Sequence, residues 1–136
     1  MSTMLSTIPS NQKLFFSLGC FSAAIGVAAG AFGAHGLKGI LSPDMLAVYE
    51  TAVRYQMYHA LGLIVAGWAA SSRENSKSNI AGWSFVVGTV LFSGSLYAMT
   101  LSGVRWLAAI TPIGGVAFIL GWVMLGLSFS QNPRKP

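Results

Sequence analysis

The residue types able to do chemistry gather in one stretch of this chain. Residues 54–60 read Arg-Tyr-Gln-Met-Tyr-His-Ala and open a run that continues Leu-Gly-Leu-Ile-Val-Ala-Gly-Trp-Ala-Ala. A guanidinium, an amide, two phenols and an imidazole therefore stand at the mouth of a segment apolar enough to enter a membrane. Ionisable groups in hydrocarbon cost about 2.5–3.5 kcal/mol each on insertion scales and face a bundle interior, a wet cavity or a partner. With His35, Glu50 and Arg105, which topology places on the same side, they make a candidate polar cluster: His35, Glu50, Arg54, Tyr55, Gln56, Tyr58, His59 and Arg105. Several roles are open to it. The residues can be satisfied bundle contacts and headgroup anchors, a proton or ion path through the two histidines, or a lipid or quinone headgroup site beside Arg54, Tyr58 and His59. Metal binding by His35 and His59 is weakly supported, because two ligands without thiol or carboxylate help are too few. Enzyme chemistry is poorly supplied too. The chain has 3 acidic residues, and Glu74 falls on the opposite side. No nucleophile motif, phosphate loop or dinucleotide fingerprint is present, so no catalytic residue, cofactor or metal is assigned.

On a wheel of 100° per residue the cluster does not form one stripe. Glu50 and Arg54 lie a turn apart in the favourable order for an ion pair, on a face with Met57, Tyr58 and Leu61. Tyr55 and His59 share another face with Gly62 and Ala66, and Gln56 points a third way. That pattern opposes a simple pore lining and fits a helix with protein or headgroups on several sides. His59 lies about 10 Å deeper than Ala52 at 1.5 Å per residue, deep enough to need a hydrogen-bond partner.

The elements that position these residues are membrane helices. The chain is 54% hydrophobic and 8% charged, against about 25% charged for soluble domains. A net charge of +5 invites a nucleic-acid reading, but the basic residues are scattered singly between apolar runs, so no nucleic-acid partner is expected. The single cysteine, Cys20, excludes an intrachain disulfide. Four segments reach the roughly 20 apolar residues a span needs: 14–35, 52–70, 80–101 and 106–129. They predict an all-α, integral membrane four-helix bundle with antiparallel up-down spans, a single domain over residues 1–136. The first span is too long for a signal-peptide core, although Ala29-Gly30-Ala31 mimics a cleavage site. A polar loop, Ser71–Asn79, separates the second and third spans. Ser102–Arg105 forces a tight hairpin between the third and fourth. The ends, Met1–Gln12 and Gln131–Pro136, read as short tails.

Lysine and arginine set the orientation. Lys13, Arg73, Lys77, Arg134 and Lys135 fall on the side of both termini, and Lys38, Arg54 and Arg105 on the other. Both termini are therefore expected in the cytoplasm, or, in a mitochondrial setting, in the matrix.

Ser42-Pro43-Asp44 signals a helix start, with Ser as cap and Pro in the first turn. The second helix thus begins before its span. Tyr49, Trp68, Trp83 and Trp106 sit where interfacial aromatics do. Pro112 predicts a kink in the fourth span. Small residues give every span a close-packing face, most clearly Ser22, Gly26, Gly30 and Ala34 on the first. That seam packs inside the bundle or docks a partner. Membrane lipids, a second copy or a larger membrane complex are the partners expected.

Gly30-Ala-Phe-Gly-Ala-His-Gly-Leu37 and Arg54-Tyr-Gln-Met-Tyr-His-Ala-Leu-Gly62, with Ser93-Gly-Ser-Leu-Tyr97 and Thr111-Pro-Ile-Gly-Gly115, resemble the YwdK/YgdD-like family of small bacterial inner-membrane proteins. The likeness covers roughly Leu14–Phe129. It implies four transmembrane helices and carries His35, Gly36, Arg54, Tyr55, Gln56, Tyr58 and His59 as motif residues, without a biochemical role. The function read from the sequence is a non-catalytic accessory or assembly component of a membrane complex. The alternative is a small oligomeric transporter, channel or lipid- or quinone-binding protein.

Overall fold

Helix signals in this chain are strong at the ends and weak in the middle, where long apolar runs leave the packing to decide. A computed structural model describes residues 10–72 and 76–130. Arg73, Glu74 and Asn75 of the polar loop, Arg134 and Lys135, and most of both tails lie outside them. The described residues form four helices and no strand. α1 is Ser10–His35, so Gln12, expected in the tail, is helical and buried. α2 is one unbroken helix, Pro43–Ser72. α3 runs Ser76–Ser102, with a π-helical turn at Thr89–Ser93. α4 is Thr111–Ser130, entered through a 3₁₀ turn at Arg105–Ala109.

The ends follow from local chemistry. After His35 the N–H groups of Gly36 and Leu37 both return to Phe32 O, at 2.7 and 3.1 Å, which closes α1. Ser42 caps α2: its Oγ accepts from Met45 N at 3.3 Å and its carbonyl from Leu46 N at 2.9 Å. α3 stops at Gly103, whose φ of 76° suits a residue without a β-carbon. Its N–H donates to Met99 O at 2.8 Å. Pro112 does not kink a helix. It is the second residue of α4, where a missing N–H costs nothing because the first-turn donors have no intrahelical partner. The ladder is disturbed in α3 instead. Its wide turn advances the phase by about one residue and brings Ser93, Leu96 and Met99 to Ala52, where Ser93 Oγ donates to Ala52 O at 2.8 Å.

α1 packs along α2, α2 along α3, and α3 along α4, while α2 touches α4 only lightly. Three helices are long and apolar enough to cross a membrane: Asn11–His35, Ser76–Ser102 and Arg105–Ser130. α2 is not among them, since it carries Glu50, Arg54, Gln56 and His59. It touches all the others, as α3 also does. The least apolar helix thus packs against all three others, and the fold is an all-α membrane bundle. Phe15, Leu63, Ala66, Phe85, Phe118 and Leu125 form its core.

Close approach at small residues sets the α1–α2 distance. A β-carbon would stand 2.6 Å from Ile64 at Gly19, 2.5 Å from Met57 Sδ at Gly26 and 2.6 Å from Tyr49 at Gly33. Gly30 faces Val53, but Ala34 is exposed. Steps of four residues drift about 40° each, so over twelve residues the expected stripe leaves the interface. The contact face follows a step near 3.5 through Gly19, Gly26 and Gly33. Tyr49 is also displaced from its expected place at the membrane boundary. It is buried against that glycine, with its hydroxyl donating to Ala29 O at 2.7 Å, whereas Trp68, Trp83 and Trp106 are exposed.

Candidate functional site

Two side chains of α2 go inward and tie the bundle together. Gln56, 5% exposed, donates from Nε2 to Ser22 O of α1 at 2.9 Å. Its Oε1 accepts from the Tyr97 hydroxyl of α3 at 2.7 Å. A peptide carbonyl can only accept, so these partners fix which end of the amide is which. One side chain therefore bridges three helices. Tyr97 in turn meets Tyr49 edge-on, with ring centroids 5.3 Å apart.

His59 is held as tightly, one turn deeper. Its Nδ1 lies 2.6 Å from Tyr55 O, and the Trp122 indole N–H of α4 donates to its Nε2 at 3.0 Å. An indole N–H has no acceptor capacity and a carbonyl no donor capacity. Nε2 is therefore the acceptor and Nδ1 carries the proton. The ring is a neutral imidazole in one tautomer, with both nitrogens occupied. It stacks on Phe118, with centroids 3.4 Å apart and planes 8° from parallel, and Tyr55 and Phe85 complete the aromatic surround. A metal would need Nε2, and proton uptake there would set two N–H groups face to face.

The other cluster residues do not join this centre. His35, Glu50, Arg54 and Arg105 are exposed, and Tyr58 is 53% exposed. His59 is buried in the bundle, whereas His35, Glu50, Arg54 and Arg105, grouped with it from the sequence, are at exposed positions. Among the described residues every buried side-chain nitrogen and oxygen has a hydrogen-bond partner. No group of three or more histidine, cysteine or acidic side chains among them could hold a metal. Trp122, Tyr97, Tyr49 and Ser93 take part in these polar ties but were not placed in the candidate cluster from the sequence. A readable signal existed for Trp122: a donor-only indole in the middle of an apolar run needs an acceptor.

Because α2 and α4 barely touch, a groove of about 710 Å³ opens between them. Tyr55, Tyr58, Leu61 and Val65 line it from α2, and Gly115, Phe118, Ile119 and Trp122 from α4. His59 and Trp122 both line it, so the internal tie and the groove share two residues.

Residues 29–115 match a family model described as a protein of unknown function, DUF423. That region holds Tyr49, Gln56, His59 and Tyr97 but ends before Phe118 and Trp122. The chain is similar to a UPF0382 membrane protein of Staphylococcus haemolyticus, 53% identical over 117 residues, which is 86% of this chain and 95% of the relative. A UPF0382 membrane protein of Staphylococcus epidermidis is 52% identical, covering 84% and 93% of the two chains. The UPF0382 membrane protein YwdK of Bacillus subtilis is 48% identical, covering 84% and 94%. No solved structure matches the chain.

Proposed function

Since this chain belongs to the DUF423 family, whose relatives above are membrane proteins, we propose that it is a non-catalytic, multi-pass component of the bacterial inner membrane. Its role is that of an accessory or assembly subunit of a larger membrane complex, with both termini in the cytoplasm. One observation carries this reading: the buried Gln56 and His59 of α2 are consumed in holding the helices together. Gln56 spends both ends of its amide on α1 and α3. His59 spends both nitrogens on its own helix and α4. A transporter or channel needs polar groups free to exchange partners along a path, and these two are not free. The remaining polar residues stand apart at exposed positions. The flanking helices α1 and α4 present Phe21, Ile25, Val116 and Ile119 outward, a surface suited to lipid and to neighbouring spans.

The test is native isolation. A C-terminally tagged chain is extracted in mild detergent or polymer, and the particle's mass and composition are measured. Stoichiometric co-elution with other membrane subunits is the expected result. A particle containing this chain alone, with unchanged membrane complexes in a deletion strain, would overturn the reading. Reporter fusions after Lys38 and at the C terminus check the orientation: only the C-terminal fusion should report cytoplasm.

A further inference from the structure

The groove between α2 and α4 has the shape of a site rather than of a packing defect. Its volume of about 710 Å³ falls in the range of about 300–1,000 Å³ typical of ligand sites. From Tyr55 to Val65 it follows ten residues of α2, about 15 Å at the helical rise. A helix about 10 Å across would displace roughly 1,200 Å³ over that length, more than the groove holds. Extended hydrocarbon chains are slimmer and fit. The walls are apolar, through Leu61, Val65 and Ile119, so water has no partners there.

At one end of the groove the chemistry changes sign. Arg54, Tyr58, Leu61 and Val65 repeat at i, i+4, i+7 and i+11, a single stripe of α2. The last three line the groove. Arg54 continues the stripe one turn past Tyr58 towards the Pro43 end, and it is exposed. A cation therefore lies one turn beyond the lining residue Tyr58, on the stripe of α2 that runs into the apolar slot. That is the polarity of an acidic phospholipid: an anionic phosphate at the end of hydrocarbon chains. An arginine is suited to it, because its fork can donate two parallel hydrogen bonds to phosphate oxygens.

We propose that this groove binds one anionic phospholipid, with its phosphate on Arg54 and Tyr58 and an acyl chain lying along Leu61 and Val65 beside the His59–Trp122 pair. This goes beyond the accessory role and does not depend on it. The lipid fills the gap that the lightly touching α2 and α4 leave between them.

The full-length chain is reconstituted in nanodiscs of equal phosphatidylglycerol and phosphatidylcholine, and retained lipid is counted by native mass spectrometry. The wild type is expected to keep one phosphatidylglycerol per chain. One surface cation is worth about fivefold in partition to an anionic headgroup, so Arg54→Gln is expected to lower the preference for phosphatidylglycerol about fivefold. Glu50 lies one turn further out, and Glu50→Gln is expected to raise that preference. Lys38→Gln, exposed in the α1–α2 connection, should leave it unchanged. Gly115→Leu adds bulk at a lining position of the groove, where the β-carbon itself stands in ordinary contact, 3.8 Å from Phe92. It should abolish retention while the thermal unfolding midpoint stays within a few degrees. Equal retention of the two lipids by the wild type, or an unchanged preference in Arg54→Gln, would overturn the proposal. So would a lipid-free dimer, or retention that survives Gly115→Leu.

Discussion

Gln56 offers the sharpest test of how this bundle holds together. Gln56→Leu keeps the side-chain volume and removes both hydrogen bonds. The losses are unequal. Ser22 O keeps its intrahelical partner within α1, so freeing it costs little. The Tyr97 hydroxyl, part-buried and donating only to Gln56 Oε1 at 2.7 Å, loses its acceptor. An unsatisfied buried donor costs about 1–3 kcal/mol. Hydrogen bonds between membrane helices measured by double-mutant cycles average about 0.6 and reach about 1.7 kcal/mol, and the leucine regains some apolar burial. Gln56→Leu should therefore destabilise the bundle by about 1–2 kcal/mol. Tyr97→Phe strands Gln56 Oε1 and should cost about 1 kcal/mol. The double variant should cost less than the sum of the two, by a coupling of about 0.6–1.7 kcal/mol. Reversible unfolding in bicelles, followed by steric trapping or circular dichroism, reads all three. A coupling below about 0.3 kcal/mol, the scatter of independent sites, would mean the bond does not tie α2 to α3.

Adjacent glycines in α4 should behave oppositely. A β-carbon at Gly114 collides with the backbone of Phe92 in α3, whereas one at Gly115 sits 3.8 Å from the Phe92 ring. Gly114→Ala is therefore expected to cost at least about 2 kcal/mol or to abolish accumulation, and Gly115→Ala to stay within about 0.5 kcal/mol of wild type; membrane yield and melting temperature decide. Gly103→Ala places a β-carbon at a φ of 76° and should lower stability by about 1 kcal/mol, with no change in helix content by circular dichroism. Trp122→Phe leaves His59 Nε2 without its donor and should cost about 1 kcal/mol, checked by the same unfolding assay.

The architecture was legible in the sequence because its signals are local. Four apolar runs, the Ser42 cap with Pro43, and the short Ser102–Arg105 link each depend on a few neighbouring residues. What was not legible depends on rotation and phase. Ala34 left the α1 seam because a four-residue step precesses around the helix, and only the partner reveals the true step. Pro112 read as a kink because the 3₁₀ turn at Arg105–Ala109 that ends before it has no strong local signature. The π turn at Thr89–Ser93 was likewise unreadable, since it answers to Ala52 across the bundle and not to its own residues. In the cluster, types and positions were visible in Arg54–His59, but direction was not. The wheel placed Gln56 apart from His59 and yet could not show that both would point inward to different helices. His35, Glu50, Arg54 and Arg105 are exposed, which residue type and wheel position alone did not decide. Trp122 was missed because an aromatic in an apolar run resembles core or belt until its lone N–H is counted.

The central claim is that the buried Gln56 and His59 of α2 are structural ties rather than a working path. Selective ¹⁵N-histidine labelling with NMR in nanodiscs at pH 7 tests it most directly, because ring nitrogen shifts report both tautomer and hydrogen bonding. The account predicts that His59 is neutral, with Nδ1 protonated and Nε2 accepting a hydrogen bond that Trp122→Phe removes. An imidazolium, an Nε2-protonated ring, or a His59 signal indifferent to Trp122 would contradict it.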